Sequence, residues 1–199
     1  MPPASPAPPD RLVRRGPQLV LRPPRRTDEP VFLAAVNASR RMHANWVRPP
    51  ATSAAYRAFL KRFVNDARRD LEHTRTLGLV ACERNSGALA GVFNFSEIVR
   101  GALQSAYLGY FAFAGMEGRG YMREGLGLAL DQAFATLRLH RVEANIQPSN
   151  ARSIALVESV GMRREGLSLR YVKVAGRWRD HARYAILADE WRGRRRRDA

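Results

Sequence analysis

Residues 115–125, GMEGRGYMREG, contain four glycines and separate an apolar stretch at 108–114 from a helix-like stretch at 126–137. Glycine weakens strands and helices, so this concentration indicates a backbone that adopts unusual angles or approaches another molecule closely. A helix also begins with unpaired N–H groups and a partial positive charge. We therefore interpret residues 118–122 as an anion cradle where a strand turns into a helix. Residues 115–120 are called the glycine loop below.

The spacing of glycines alone leaves the type of phosphate loop open. A Walker loop is excluded because no Gly-Lys-Ser/Thr sequence follows. A dinucleotide fingerprint needs a third glycine where Arg123 stands, although Glu143 on the following strand matches the acidic residue that such a site uses. The remaining scheme is the acetyl-CoA loop of acetyltransferases.

Hydrophobic periodicity divides the rest of the chain into alternating strands and helices. Helices are expected at about 27–42, 52–67, 122–137 and 148–161. Strands are expected at 18–23, 74–83, 88–99, 105–114 and 141–146, followed by a hairpin at 169–187. The strand at 105–114 is apolar on both faces and is therefore expected at the centre of the sheet. This order predicts an α/β fold, a mixed sheet in one domain.

Composition limits the class of protein. The chain has 199 residues, of which 45% are hydrophobic, enough for one globular core. Its net charge is +16, and among 34 lysines and arginines only Lys61 and Lys173 are lysine. This arginine excess reflects either genome composition or attraction to a polyanion, such as a phosphorylated cofactor or RNA. The single cysteine, Cys82, lies in an apolar strand and is expected to be a buried, inert thiol.

The two ends differ from the middle. We expect residues 1–16 to be a disordered proline-rich leader, 17–191 to form the folded domain, and 192–199 to be an arginine-rich tail kept disordered by charge repulsion. The sequence shows no secretory signal and no apolar stretch long enough for a membrane span, which predicts no membrane contact and a cytoplasmic location.

Three motifs lie around the glycine loop. SEIVRG at 96–101 precedes QSAYLGY at 104–110, EGRGYM occupies 117–122, and PSNARSIALVESVGM occupies 148–162. Together they resemble the ribosomal-protein alanine N-acetyltransferases of the RimJ/RimL type, within the GNAT superfamily. The resemblance covers about residues 18–190. It implies the GNAT-like acyl-CoA N-acyltransferase fold and acetyl-CoA as cosubstrate.

The resemblance also implies which residues hold acetyl-CoA, with its diphosphate on the loop and its pantetheine arm beside the preceding strand. The implied contacts are Phe111, Ala112, Phe113, Gly118, Arg119, Gly120, Tyr121, Met122, Arg123 and Asn150. The family loop usually reads Arg/Gln-x-x-Gly-x-Gly/Ala, whereas this chain has Glu117 at its first position and Met122 at its last. Because backbone N–H groups make most of the cradle, we expect altered affinity rather than a lost site.

The implied reaction is direct transfer without an acyl-enzyme. Asn150 and Ser153 are either helix-capping residues or catalytic ones, with Asn150 binding the pantetheine arm and Ser153 assisting protonation of the departing sulfur. Glu97 is the first candidate for the base, although relatives often carry asparagine there. Tyr107 and Tyr110 are expected in the core or the pocket wall, with proton transfer as the alternative. No metal is expected.

Three acceptors or partners remain open. The first is the N-terminal α-amine of a protein, most simply a ribosomal protein beginning with alanine or serine. The second is a small amine such as a polyamine or an antibiotic. The third is RNA, bound by a basic module with a vestigial cofactor site. The arginine tail would contact rRNA or the ribosome, and the protein would be a monomer or homodimer. Trp46 and Arg48 are expected to line the substrate groove, whereas Asp180 and His181 are expected either to be structural or to line the peptide groove.

Overall fold

The computed structural model describes residues 10–65 and 70–197. They form one eight-stranded sheet with the strand order β1-β2-β3-β4-β5-β6-β8-β7. The strands are β1 (Arg14–Arg15), β2 (Leu19–Arg22), β3 (Leu77–Glu83), β4 (Leu89–Val99), β5 (Ser105–Ala112), β6 (Arg141–Ile146), β7 (Arg163–Val174) and β8 (Arg177–Leu187). All neighbours are antiparallel except β5 and β6, which are parallel. The predicted mixed α/β sheet is confirmed.

The described helices are α1 (Glu29–Ala38), α2 (Arg40–His43), α3 (Ser53–Leu60), α4 (Tyr121–Asp131), α5 (Ala151–Ser159) and α6 (Ala188–Arg197). Wider π-helical turns continue α3 over Lys61–Asn65 and α4 over Gln132–Thr136. The Thr52 hydroxyl caps α3 by accepting from the Ala55 N–H. The helix expected at 27–42 is interrupted at Ser39, and the predicted end of the next helix, at 66–67, lies outside the described residues.

Each face of the sheet carries its own apolar cluster. On one face, aromatic and aliphatic side chains of α1 and α3 pack against strand residues such as Val80, Val92 and Phe111. On the opposite face, side chains of α4, α5 and α6 pack against residues such as Leu79, Phe93 and Val142. We call these the α1–α3 face and the α4–α6 face. Between the bulges, a strand residue can be assigned to one of these faces because side chains alternate along a strand.

The chain ends are more ordered than the sequence analysis expects. Within the leader, Asp10–Leu12 forms a short 3-10 helix and β1 pairs with β2. The reason is Leu12, which is 1% exposed and part of the core. At the other end, α6 continues to Arg197, because buried Trp191 anchors it through an indole N–H···Oδ1 bond of 2.8 Å to Asp131. An ion pair of 3.2 Å between Arg195 and Asp131 also reduces the charge repulsion.

Strand β5 is central as predicted, but it is not apolar on both faces. Its burial alternates: Ala106 and Leu108 are buried on the α4–α6 face, while Tyr107 is 37% exposed on the other. This difference follows from the position of α1 and α3, which cover only the Phe111 end of the strand on their face.

Other described features concern the thiol, membrane spans and metals. Cys82 is buried as expected, and burial raises the pKa of its thiol. No helix in the described ranges has both the length and the apolar character to cross a bilayer. The same ranges hold no group of three His, Cys, Asp or Glu side chains placed to share a metal ion.

Candidate functional site

The parallel strands β5 and β6 pair along only part of their length. Their register joins Ser105 to Arg141, Ala106 to Val142 and Tyr107 to Glu143, and β5 then continues to Ala112 with β4 as its neighbour. Beyond Tyr107 and Glu143 the two strands separate, and we call the resulting gap the fork. Because β6 no longer pairs with β5 in the fork, N–H and C=O groups on this edge of β5 can bind an extended ligand.

The glycine loop connects the end of β5 to α4 through left-handed backbone. Gly118 and Gly120 have φ angles of 74° and 76°, which residues with a Cβ adopt only at a cost. Gly120 is also the N-cap of α4, and no side chain caps this helix end. A Cβ at Gly118 would meet no atom within 4 Å. The loop therefore leaves the first N–H groups of an eleven-residue helix facing open space.

The side chains after Gly120 do not fill this space. Tyr121 is 8% exposed and belongs to the core on the α4–α6 face. Met122 packs over Gly91, where an added Cβ would lie 2.7 Å from its Sδ. The Glu124 carboxylate accepts 2.9 Å hydrogen bonds from the N–H groups of Gln18 and Leu19, which ties α4 to β2. What remains for a ligand is the backbone of residues 118–123 and the exposed side chains of Arg119 and Arg123.

Glu117 stands where the family loop usually has arginine or glutamine, and its carboxylate bonds within the glycine loop. The Glu117 Oε2 accepts a 2.7 Å hydrogen bond from the Gly115 N–H. The carboxylate is thus folded back on the first amide of the glycine loop, and this bond leaves the amides at 118–122 unaffected. A negative charge nevertheless lies close to an anion cradle, which weakens anion binding electrostatically.

A tyrosine and a serine bridge the fork on the α4–α6 face. The Tyr110 Oη lies 2.6 Å from the Ser153 Oγ and 3.1 Å from the Ser153 carbonyl oxygen. The Asn150 Oδ1 accepts a 3.2 Å bond from the Ser153 N–H, so Asn150 caps α5. Burial raises the pKa of Tyr110 to about 12, a rise that the bond to Ser153 opposes in part. The phenol therefore keeps its proton near neutral pH and can donate it within the fork.

A splayed parallel strand pair next to a glycine-capped helix has a counterpart among known families. Residues 18–163 match the model of the acetyltransferase (GNAT) domain. The chain belongs to the GNAT family.

Individual GNAT relatives agree with this assignment. Over 103 residues the chain is 38% identical to the [ribosomal protein uS5]-alanine N-acetyltransferase of Escherichia coli, covering 52% of this chain and 53% of that protein. The structure of Mycobacterium smegmatis RimJ in complex with CoA-disulfide is 31% identical, with a TM-score of 0.77 over 86% of this chain and 83% of that one. The chain spans about half the length of the curated relatives it matches.

A more distant neighbour shows the same fold. Spermidine N-acetyltransferase from Vibrio cholerae, in complex with CoA and spermine, has a TM-score of 0.73 at 22% identity, covering 88% of this chain and 99% of that one. At this identity the likeness concerns the fold alone.

The α1–α3 face of the fork differs from the face that carries Tyr110. The β4–β5 register places Asn94 beside Gly109, and Asn145 lies as far beyond Glu143 as Gly109 lies beyond Tyr107. Asn94, Gly109 and Asn145 therefore share the α1–α3 face of the GNAT sheet, with the fork between Gly109 and Asn145; we call these three residues the row. The side-chain oxygens of both asparagines are buried and have no hydrogen-bond partner among the described residues. A Cβ at Gly109 would meet nothing within 4 Å.

Helices α1 and α2 are bonded to the end of β5. The His43 ring lies with Nε2 2.8 Å from the Ala112 carbonyl oxygen, and the Ala114 N–H donates to the Ser39 Oγ at 2.9 Å. Further along, the Gln147 side chain donates to the Asn45 carbonyl at 3.0 Å. These bonds place the loop after α2, with the predicted groove residues Trp46 and Arg48, beside the open end of the fork.

The three implied pantetheine contacts at the end of β5 are largely occupied by other parts of the protein. Phe111 and Phe113 are 8% and 1% exposed, and both side chains pack within the cluster on the α1–α3 face. The Ala112 carbonyl pairs with His43, and the Phe113 N–H donates to the Ala90 carbonyl at 3.0 Å. Contact of these residues with a coenzyme stays a prediction.

The structure separates the candidate base from the other catalytic candidates. Glu97 is exposed, has a φ of 48° and lies in a bulge of β4 between Ser96 and Val99. Ser96 faces Tyr107, three residues before Tyr110, and three residues of strand span roughly 10 Å. Glu97 as base stays a prediction, whereas Tyr110, Ser153 and Asn150 are in direct contact or linked by Ser153.

Two predicted groove residues have structural partners. The Asp180 Oδ1 accepts a 2.7 Å bond from the Arg170 N–H at a bulge between β7 and β8, and Arg170 has a φ of 48°. His181 is buried, and its Nδ1 lies 3.0 Å from the Arg179 carbonyl. Their contacts indicate that both residues shape the last hairpin.

Sequence analysis missed the row formed by Asn94, Gly109 and Asn145. Three residues on three different strands give no spacing signal until the strand register is known. The alternation in SAYLGYFA contained a partial signal, because Gly109 interrupts a face that otherwise carries large side chains. The contact between Tyr110 and Ser153 gives no local sequence signal either, because the two residues lie 43 positions apart.

Proposed function

We propose that this GNAT enzyme transfers the acetyl group of acetyl-CoA directly to the N-terminal α-amine of a ribosomal protein. We also propose that it acts in the cytoplasm. The observation that carries the proposal is the fork itself. It opens towards the glycine loop, has a protonated tyrosine on one face, and has unpaired amide oxygens and open space on the other.

The residues of the loop fit a diphosphate. Amides at the start of α4 have no side-chain cap, Gly118 is surrounded by open space, and Arg119 and Arg123 are exposed beside them. Such N–H groups bind phosphate oxygens without a lysine. The edge of β5 from Leu108 to Tyr110 would hold amides of the pantetheine arm as an added strand does.

Bound acetyl-CoA supplies an activated acyl thioester. The chain itself contributes position and proton donors. One N–H of the β5 edge would polarise the thioester carbonyl, as oxyanion-binding amides do. The Tyr110–Ser153 pair lies on the α4–α6 face and holds a proton for the departing sulfur. The neutral amine would then approach from the α1–α3 face and, as the new C–N bond forms and the C–S bond breaks, lose one proton to water. Donor and acceptor groups would thus work from opposite sides of the sheet.

The charge of the acceptor side favours a peptide over a polyamine. Glu143, next to the row of Asn94, Gly109 and Asn145, is bound by Arg141 with an Nε···Oε1 distance of 2.9 Å. Arg183 faces Asn145 in the register of β6 and β8. A protein of charge +16 with this neighbourhood repels polycations. An α-amine, with a pKa of ~7.7–8, is about 10% neutral at pH 7 and needs only a weak base.

The arginine-rich helix α6 favours a second contact, with ribosomal RNA. A cleft of about 660 Å³ lies between α6 and the end of the α4 segment, and its lining includes Arg138, Arg192, Arg195 and Arg196. Such a cluster attracts phosphates, and an RNA contact would weaken steeply as salt rises. Replacing Arg138 and Arg196 with glutamine should lower RNA affinity in a filter-binding assay and leave peptide acetylation unchanged.

A panel of acceptors tests the main proposal. Purified protein and acetyl-CoA are incubated with hexapeptides beginning with alanine, serine or methionine, with the same peptides blocked at the N-terminus, and with spermidine. Mass spectrometry should show one added acetyl group on the free alanine or serine peptides and none on the blocked ones. Acetylation of spermidine alone, or of lysines in blocked peptides, would overturn the assignment of the acceptor.

A further inference from the structure

The cleft between α6 and the end of the α4 segment is a concave site as well as a basic one. The π-helical turn after α4 forms one wall and α6 forms the other, and the two meet where the Ala188 N–H donates to the His140 carbonyl at 2.9 Å. Its volume is about 660 Å³. Sites for small ligands usually measure about 300–1,000 Å³. We call this site the α6 cleft, and it is large enough to hold part of a ligand.

The inner lining of the α6 cleft is apolar. It consists of the side chains of Phe134, Leu139, Ala188 and Trp191, which we call the floor. Leu139, Ala188 and Trp191 are buried, whereas Phe134 is half-buried. The Arg195 guanidinium carbon lies 5.9 Å from the centroid of the indole ring, so the indole already has a cationic partner. The Phe134 ring therefore remains as the aromatic surface for a flat ligand.

The edge of the α6 cleft is positively charged. It carries Arg138, Arg192, Arg195 and Arg196, which we call the rim. Arg195 is paired with Asp131, and within residues 10–65 and 70–197 the other three rim arginines make no salt bridge. Arg195 and Arg196 follow Arg192 by three and four helical positions, a spacing at which like charges repel. A bound anion would relieve this repulsion.

Helix α6 holds the rim in place in spite of the repulsion. Buried Trp191 is bonded to Asp131 at 2.8 Å, and Arg194 donates to the Ser159 carbonyl at 3.3 Å, at the end of α5. These contacts lie on the side of α6 that packs against the domain, and they fix the arginines that do not take part in them. An anion therefore meets an ordered array, which lowers the entropic cost of binding.

Two lining residues have left-handed backbone without being glycine. Gln104 has a φ of 41° and Arg138 a φ of 53°. Such angles cost free energy and are found most often at functional sites. The Gln104 carbonyl accepts bonds of 2.7 Å and 3.2 Å from the N–H groups of His140 and Arg141. The exposed Gln104 amide and His140 ring also line the cleft, and both can form hydrogen bonds with the edge of a base.

We propose that the α6 cleft holds one unpaired nucleotide of an RNA strand, with its base against the floor at Phe134 and the neighbouring phosphates on the rim. This inference rests on the proposed RNA contact and makes it more specific. An unpaired base offers a flat face beside negative phosphates, which matches a floor and a rim of this kind. A duplex keeps its bases stacked and reaches only the rim. An acidic peptide has no flat apolar group next to its charges.

Ala135→Leu tests the insertion of a base, because Ala135 is exposed in the lining and a leucine there fills the cleft without changing its charge. Fluorescence anisotropy measures the Kd of the full-length protein for a labelled RNA dodecamer and for the same strand paired with its complement. The single strand should bind about tenfold more tightly than the duplex, the contribution of one stacked base. Ala135→Leu should weaken binding of the single strand about tenfold and leave the duplex Kd unchanged.

Arg192→Gln tests the rim separately. It should weaken binding of both RNAs and reduce the slope of log Kd against log salt concentration by about one. Ala58→Leu is the control for Ala135→Leu, because it makes the same change at an exposed position of α3, on the other face of the sheet. It should leave both Kd values unchanged. All three variants should keep the melting temperature and the rate of peptide acetylation of the wild type.

Equal wild-type Kd values for single strand and duplex would overturn the insertion, and so would a single-strand Kd that Ala135→Leu leaves unchanged. Competition by free ATP or by poly-glutamate as effective as that of the unlabelled strand would overturn an RNA strand as the ligand. If the wild-type protein binds neither RNA, the proposed RNA contact itself fails. A wild-type protein that binds the single strand as expected and acetylates no peptide would contradict the proposed acetyl transfer and support the cleft.

Discussion

The proposed coenzyme side and the proposed acceptor side of the fork use different parts of the chain. On the proposed coenzyme side, the binding groups would be backbone amides at the start of α4, made available by Gly118 and Gly120. On the proposed acceptor side, side-chain amides on two strands flank Gly109, where a glycine leaves empty space. Glycine thus has two roles in one site: in the loop it allows a backbone angle, and in the strand it leaves room.

Among the variants that test this comparison, we expect the largest effect at the Tyr110–Ser153 pair. Tyr110→Phe removes the hydroxyl that lies 2.6 Å from the Ser153 Oγ and should lower kcat about a hundredfold, as loss of a general acid does. The KM for acetyl-CoA should change little. Stopped assays of thiol release measure both constants.

Tyr184→Phe is the matched control, because Tyr184 is also buried and its hydroxyl donates to Glu158 at 3.2 Å outside the fork. An equal fall of kcat in both variants would assign the effect to packing rather than to the proton.

A second prediction separates the two roles of glycine, which are to allow a left-handed backbone angle and to leave open space. Gly120→Val places a branched side chain at a φ of 76°, which costs about 1–2 kcal/mol and distorts the cradle. The Kd for CoA should rise about tenfold or more in calorimetry. Gly87→Val is the control: its φ is 73° and its surroundings are equally open, but it lies in the β3–β4 turn. It should lose similar stability and keep CoA affinity; loss of affinity in both would contradict a local role of the loop.

The fold and the coenzyme side could be read largely from sequence, because their signals are local. Helical periodicity, the hairpin at 84–87 and the glycine loop each lie within a short segment. The acceptor side depends on register between β4, β5 and β6, which no local pattern contains. The order of residues 10–15 and 192–197 is not evident from the sequence for a related reason: Leu12 and Trp191 lie in charged segments, and their burial depends on distant partners.

The pH dependence of kcat/KM should reflect the pKa of the acceptor amine and not the pKa of Tyr110. With an alanine-initiated peptide, kcat/KM should rise with pH and level off near the α-amine pKa of ~8, since only the neutral amine attacks. Because the pKa of Tyr110 is raised to about 12, the donor stays protonated throughout and no falling limb is expected below pH ~11. A rise that continues to pH ~10 would indicate a lysine-like acceptor instead.

The smallest effect concerns the charge next to the loop. Glu117→Gln removes a carboxylate beside the start of α4 and should tighten CoA binding about two- to fivefold at low salt, with less effect at high salt. Glu72→Gln makes the same change in net charge on an exposed residue before β3 and should have no effect. Weaker binding in Glu117→Gln would mean that the bond to Gly115 shapes the cradle more than its charge opposes it.

A crystal structure of the protein with acetyl-CoA tests the central claim most directly. We expect diphosphate oxygens within about 3.2 Å of main-chain nitrogens in residues 118–123, a hydrogen-bond distance, and the thioester in the fork between Tyr110 and Gly109. A diphosphate bound elsewhere, with the Glu117 carboxylate or nothing at these amides, would contradict the account.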